Sequence, residues 1–94
     1  MNKPPREIDG ATVLEWAWSG HKPFGVVPVS LGGVAIEIFG LAICRYPGDS
    51  NAYRFSCDRD WQSEQDAHYD TVTEAKANLP DQYKSVDVNW IAMD

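Results

Sequence analysis

Residues 24–46 read FGVVPVSLGGVAIEIFGLAICRY, a largely apolar stretch that decides what kind of fold the rest of the chain must complete. Gly32-Gly33 sits at its middle, and a Gly-Gly pair between two apolar runs permits the positive φ angles of a tight hairpin. Pairing Leu31 with Val34 then sets Val29 opposite Ile36 and Val27 opposite Ile38, so that each of these facing pairs is apolar. Pro28 falls on the other face and cannot donate to a ladder, which places that strand at an edge or interrupts it there. From Val34 to Tyr46 the chain stays apolar for longer than one half-buried strand needs, and the alternation changes phase near Gly40. A long strand bent at that glycine is the expectation.

Upstream, ATVLEWAWSG (11–20) alternates at period two, with Leu14, Trp16 and Trp18 on one face and Val13, Glu15 and Ala17 on the other. Residues 1–8, with Pro4-Pro5 among charges, read as a flexible arm ahead of a single domain spanning 9–94. Downstream, PGDSNA (47–52) is a dense turn signal, after which Tyr53, Phe55 and Cys57 alternate with Arg54, Ser56 and Asp58. Asp58-Arg59-Asp60 is the next turn. In the strand that follows, Trp61, Ala67 and Tyr69 form an anchoring face, and Gln62, Glu64, Asp66, His68 and Asp70 form a wet one.

YDTVTEAKANLP carries helix chemistry. Asp70 or Thr71 is an N-cap, Thr71 and Glu74 have capping-box spacing, Val72, Ala75 and Leu79 recur at helical intervals, and Pro80 stops the run. The helix is expected over about 71–79. VDVNWIA then returns to alternation, with Val86, Val88, Trp90 and Ala92 on one face of a closing strand. Together these elements predict an α+β domain: an antiparallel sheet of about five to six strands, bent near Gly40, one short helix packed across it, and a C-terminal strand. One helix can hide only one face of such a sheet, so the other must be solvated, curled on itself or covered by another chain.

Fourteen acidic residues against eight basic ones give a net charge of −6, and the bases are scattered. Binding to a nucleic-acid phosphate backbone, which needs clustered Lys and Arg, is therefore not expected. No apolar run approaches the roughly 18 residues that span a bilayer, and MNKPPREIDG lacks an apolar signal core, so no membrane association and a cytoplasmic location are the expectations. Cys44 and Cys57 lie outside any CxxC spacing and read as small buried thiols. His21 could pair with either cysteine, but no activating motif accompanies it.

The acids are concentrated. Between Asp58 and Glu74 six of them (Asp58, Asp60, Glu64, Asp66, Asp70, Glu74) stand against Arg59 alone, a local net of −5. A field of one sign speeds association with an oppositely charged partner, so Asp58, Asp60, Glu64, Asp66, His68 and Asp70 are the candidate binding face. No cofactor is expected. A weaker reading makes Asp66, His68 and Asp70 metal ligands, because alternate strand positions stand about 7 Å apart and carry a suitable donor set. An alternative site is an aromatic-lined pocket for a small molecule, built from Trp16, Trp18, Tyr53 and Trp61.

The run from Trp61 into YDTVTEAK, a strand feeding a capped helix, resembles a local arrangement of small bacterial and phage proteins, including antitoxin-like domains. The short acidic chain is similar in general character to immunity proteins and inhibitors. No catalytic motif is present: the P-loop, GxSxG, HExxH and GxGxxG patterns are all missing. The expectation is a non-enzymatic accessory, inhibitor or immunity-like protein that binds a cationic protein partner, with a homodimer through a sheet edge or exposed aromatics as a further expectation.

Overall fold

The computed structural model describes residues 2–28, 33–83 and 85–94. Its elements are β1 (Glu7–Ile8), β2 (Ala11–Trp18), β3 (Gly25–Val27), β4 (Ile36–Ile38), β5 (Gly40–Arg45), β6 (Ala52–Cys57), β7 (Ser63–Tyr69), α1 (Val72–Ala77) and β8 (Ile91–Ala92). The main sheet runs β1-β2-β5-β6-β7, entirely antiparallel, with β8 also pairing to β2; β3 and β4 form a separate two-stranded ribbon. The sheet curls into a half-barrel and carries one short helix, which fits the expected α+β class, the curl being one of the three ways left open for covering the second face.

The ribbon differs from the sequence expectation in register. Gly25 faces Ile38, Val26 faces Glu37 and Val27 faces Ile36, so Val27 sits two residues away from the partner expected for it. The slip is even, and an even slip leaves each side chain on its own face. The ribbon is also approached closely from outside: a Cβ at Gly25 would collide with the backbone oxygen of Gln82 and stand 2.8 Å from the Tyr83 ring. Only a glycine can occupy position 25 where the 82–83 segment crosses. Phe24, Val27 and Ile38 then pack with Leu41, Ala17 and Tyr83 in one buried cluster. The expected Gly32-Gly33 tip and the Leu31 and Val29 pairs lie outside the described residues, apart from Gly33 and Val34, which are exposed.

The expected single bent strand is two strands in two sheets. Phe39 separates β4 from β5, donating its N–H to the Cys57 carbonyl and accepting from Ser19 N–H at 2.9 Å. Gly40 opens β5, and its missing side chain admits the Trp61 ring.

β2 carries a bulge that the alternation does not reveal. Val13 pairs with Cys44 and Glu15 with Ile43, leaving Leu14 as the extra residue. The bulge changes the phase, so Ala11 and Val13 share a face with Trp16 and Trp18 instead of opposing them. That concave face also carries Ala42, Cys44, Phe55 and Cys57, all at most 1% exposed.

The convex face of β5 and β6 is buried as well. Ile43 and Ala52 lie against Ala75 of α1, while Arg54 and Ser56 are covered by the helix C-terminus and by Tyr83. Curling hides one face and the helix, ribbon and C-terminal stretch hide the other, so β5 and β6 sit in the middle of the molecule. Burying side chains such as Phe24, Phe55, Leu41 and Ile43 contributes about 1.5–3 kcal/mol each.

α1 forms as its caps dictate, two residues shorter at its C-terminal end than expected. Thr71 Oγ1 accepts from Glu74 N–H at 3.1 Å, and Asn78 closes the helix by donating both N–H and Nδ2 to the Glu74 carbonyl. The closing strand is shorter than expected: only Ile91 and Ala92 pair, opposite Trp16 and Glu15, while Val86, Val88 and Trp90 pack on the convex side without a ladder. Residues 2–8, read from sequence as an arm, lie along the sheet. Pro4 is buried, the Arg6 carbonyl accepts from Val13 N–H, and Asp9-Gly10 (φ 50° and 83°) turns β1 into β2. No helix among the described residues is long and apolar enough to cross a membrane.

Candidate functional site

Among the described residues β7 is the outermost strand of the main sheet, hydrogen-bonded to β6 on one side only. Its register places the candidate residues. Asp66 stands opposite Phe55, which faces Ala42, which faces Trp16; His68 stands opposite Tyr53, which faces Cys44, which faces Val13. Asp66 and His68 therefore project from the same face as the concave aromatic cluster. Ala67 and Tyr69 project from the opposite face, beside Arg54 and the helix.

This corrects the sequence reading of the anchoring face. Trp61 is not on the side of Ala67 and Tyr69. It lies ahead of β7 at φ 61°, a rare conformation for a bulky residue, and folds over Gly40 into the concave cluster. The turn before it is organised by Asp58, whose Oδ1 accepts from Asp60 N–H at 2.8 Å and Gln62 N–H at 3.0 Å. Asp58 is thus a half-buried turn residue. Asp60, Glu64, Asp66, His68 and Asp70 are exposed, with Asp60 in the turn and Asp70 beyond the end of β7.

Two acids not foreseen from the sequence join the same face. Asp49, in the β5–β6 turn, accepts from Tyr53 OH at 3.2 Å. Asp9 lies in the β1–β2 turn. Tyr46 and Tyr53 meet edge to face at 5.0 Å, and Tyr53 continues to the His68 imidazole at 5.9 Å. Burial pushes the Tyr46 hydroxyl above its ordinary pKa, and the Asp66 and Asp9 carboxylates push it further. Burial followed by the Asp49 carboxylate does the same to Tyr53. Both phenols stay neutral under a negative field, a tyrosine floor rimmed by carboxylates. The Asp9-Gly10 dipeptide, a strong two-residue hairpin signal, could have revealed one of these acids.

The aromatic quartet expected to line a pocket is dispersed. Trp16 and Trp61 are buried against each other at 6.3 Å and 84°, Trp18 lies against Trp61 at 5.6 Å, and Tyr53 stands with Tyr46 instead. Of the four, only Trp18 lines a described cleft, an opening of about 480 Å³ bordered by Asn2, Ser19, Gly20, His21 and Arg59.

Asp66 and His68 share a face, but among the described residues no group of three or more His, Cys, Asp or Glu side chains is placed to hold a metal ion. Cys44 and Cys57 are free and buried, as the sequence suggests. Burial pushes the Cys44 thiol up to about 12 and the Cys57 thiol up as well, so neither supplies a thiolate near neutrality. His21 is exposed and lines the cleft with Trp18. No protein-family model, curated protein or solved structure matches the chain.

Proposed function

We propose that the chain is a non-enzymatic binding protein that receives an extended, basic segment of a protein partner along the free edge of β7. The observation that carries this reading is the coincidence of a seven-residue edge with its charge: among the described residues β7 has one strand neighbour, and it presents Glu64, Asp66 and His68 to solvent. An unpaired edge offers backbone donors and acceptors to an incoming strand. Acidic side chains on that edge select for Lys and Arg in the newcomer and raise its rate of encounter. The Tyr46–Tyr53 floor suits the same chemistry, since cations are attracted to the face of an aromatic ring.

The same charges oppose a second copy of the chain. Two such edges would bring together two local excesses of five negative charges. A heterologous basic partner is favoured over a homodimer through β7.

The test is a titration of isotope-labelled protein with a synthetic peptide of alternating Lys and Val, and with its Glu-Val counterpart as control. The basic peptide is expected to shift and protect the amides of 64–69, and its affinity to fall by about tenfold or more between low and moderate salt, as the loss of several ionic contacts requires. Reversal of Glu64 and Asp66 to Lys should abolish the effect. Protection elsewhere in the sheet, or equal binding by the charge-reversed variant, overturns the reading.

A further inference from the structure

We infer that the cleft beside Trp18 is a binding site for a small planar aromatic carboxylate, separate from the acidic edge. Its lining has a composition the rest of the molecule does not suggest. In a chain with fourteen acids and eight bases, the largest described cleft is bordered by Asn2, Trp18, Ser19, Gly20, His21 and Arg59, with no carboxylate among them. Of the two other described clefts, one shares Arg59 with it but is bordered also by Glu37, Asp58 and Asp60, and the other is bordered by Arg6, Glu7 and Asp94. Of the three, this is the one with a cationic side chain and no carboxylate on its border.

The walls are also prearranged. Trp61 is seated on Gly40, Trp18 lies tilted against Trp61 at 5.6 Å and against Phe39 at 6.1 Å, and the Arg59 guanidinium lies 4.0 Å above the Phe39 ring. These four side chains form a continuous stack whose half-buried Trp18 member and cationic end both border the opening. Stacking on a ring holds a guanidinium in place while leaving its in-plane N–H groups available, and their fork matches a carboxylate. Among the described residues no carboxylate lies within ion-pair distance of Arg59. The half-buried Trp18 indole offers a π-face for the ligand ring, and Asn2 and His21 offer polar groups at the rim. One arginine and one histidine suit a monoanion better than a phosphate dianion. A volume of about 480 Å³ lies in the usual range for small-molecule sites, about 300–1,000 Å³, and takes one or two fused rings.

The experiment uses 2-naphthoate, its neutral analogue 2-naphthylmethanol, and inorganic phosphate, each titrated into isotope-labelled protein. Naphthoate is expected to give saturable shifts at the Trp18 indole N–H and at His21, with the neutral analogue at least about tenfold weaker, the size of effect a lost charge-assisted hydrogen bond produces. Arg59→Gln should weaken naphthoate to the level of the neutral analogue, and Arg59→Lys should restore part of the affinity. Glu64 and Asp66 reversal should leave naphthoate binding unchanged, which separates this site from the acidic edge. Absence of saturable shifts at Trp18, equal affinity of the neutral analogue, or displacement of naphthoate by inorganic phosphate at like concentration each overturn the inference. The ligand comparison on wild-type protein decides it even where an Arg59 variant folds poorly.

Discussion

A methyl group on the Cα of Gly40 would stand 2.5 Å from Cζ3 of Trp61, so the strand and the indole meet only because residue 40 has no side chain. That contact joins the first residue of β5 to the turn before β7 and seals the end of the concave cluster. Gly40→Ala is expected to force the ring or the strand aside and to cost about 1–3 kcal/mol, the range for overpacking. Urea denaturation read by tryptophan fluorescence measures it. In a Trp61→Leu background the same alanine should be nearly free; an undiminished cost there would show that the strain lies elsewhere.

The second prediction concerns a buried charge. Arg54 is 3% exposed and donates through Nη1 to Tyr69 OH at 2.8 Å and to the Asn78 carbonyl at 2.7 Å. The guanidinium thereby closes the C-terminal end of α1, where the helix dipole is negative and carbonyls lack partners. Arg54→Met keeps the bulk but leaves Asn78 O without this donor. The expected loss is about 2–4 kcal/mol, since hydrogen bonds to charged groups are worth about 1.5–3 kcal/mol each and relief of the buried charge offsets part of it. Hydrogen exchange should show α1 opening more readily than β5 in this variant.

The helix and the meander were legible from sequence, because capping at Thr71 and Glu74 and alternation in β6 are properties of neighbouring residues. Three features were not, for one shared reason. The ribbon register keeps its apolar face whether Val27 meets Ile38 or Ile36, so the pattern does not choose between them, and the segment packed against Gly25, Gln82 and Tyr83, lies over fifty residues away. The extra residue Leu14 is itself apolar, so the pattern reads through the bulge. Trp61 looks like part of the following strand until its positive φ turns it to the other face. The candidate surface was half visible: the acids of β7 lie in one run, whereas Asp9 and Asp49 reach the same face from turns that only the fold brings near.

A third prediction follows from the first hairpin. Gly10 has φ +83°, and a methyl group on its Cα would have nothing within 4 Å, so a side chain there meets backbone strain alone. Gly10→Ala should cost about 1–2 kcal/mol, the penalty for a left-handed L-residue, while Gly10→Asn should cost less because asparagine tolerates that region. Thermal melts of the two variants rank them. Equal melting temperatures would mean that the turn relaxes and that β1 adds little to the fold.

The last prediction is of alkaline instability, and its sign follows from the buried thiols. Cys44 has an ordinary value of 9.0 and is held at about 12 in the folded chain because burial disfavours the thiolate; Cys57 is raised in the same direction. Below pH 9 both thiols are protonated in either state and the preference for the fold is complete. Above it the unfolded chain releases these protons and the folded chain does not, so stability falls as pH rises toward 12. Tyr83, raised chiefly by burial despite its 2.8 Å bond to Ser56 Oγ, adds to the slope above 10. Denaturation midpoints measured from pH 8 to 11 should therefore decline steadily. In a Cys44→Ala, Cys57→Ala double variant the chain starts less stable, because two packed sulfurs are gone, but the decline between pH 9 and 10 should flatten. A slope unchanged by the double substitution would place the alkaline transition on the tyrosines and lysines alone. Thiol-directed reagents offer an independent check: at pH 8 both cysteines should react only as fast as the chain opens, and destabilisation by Gly40→Ala should accelerate them together.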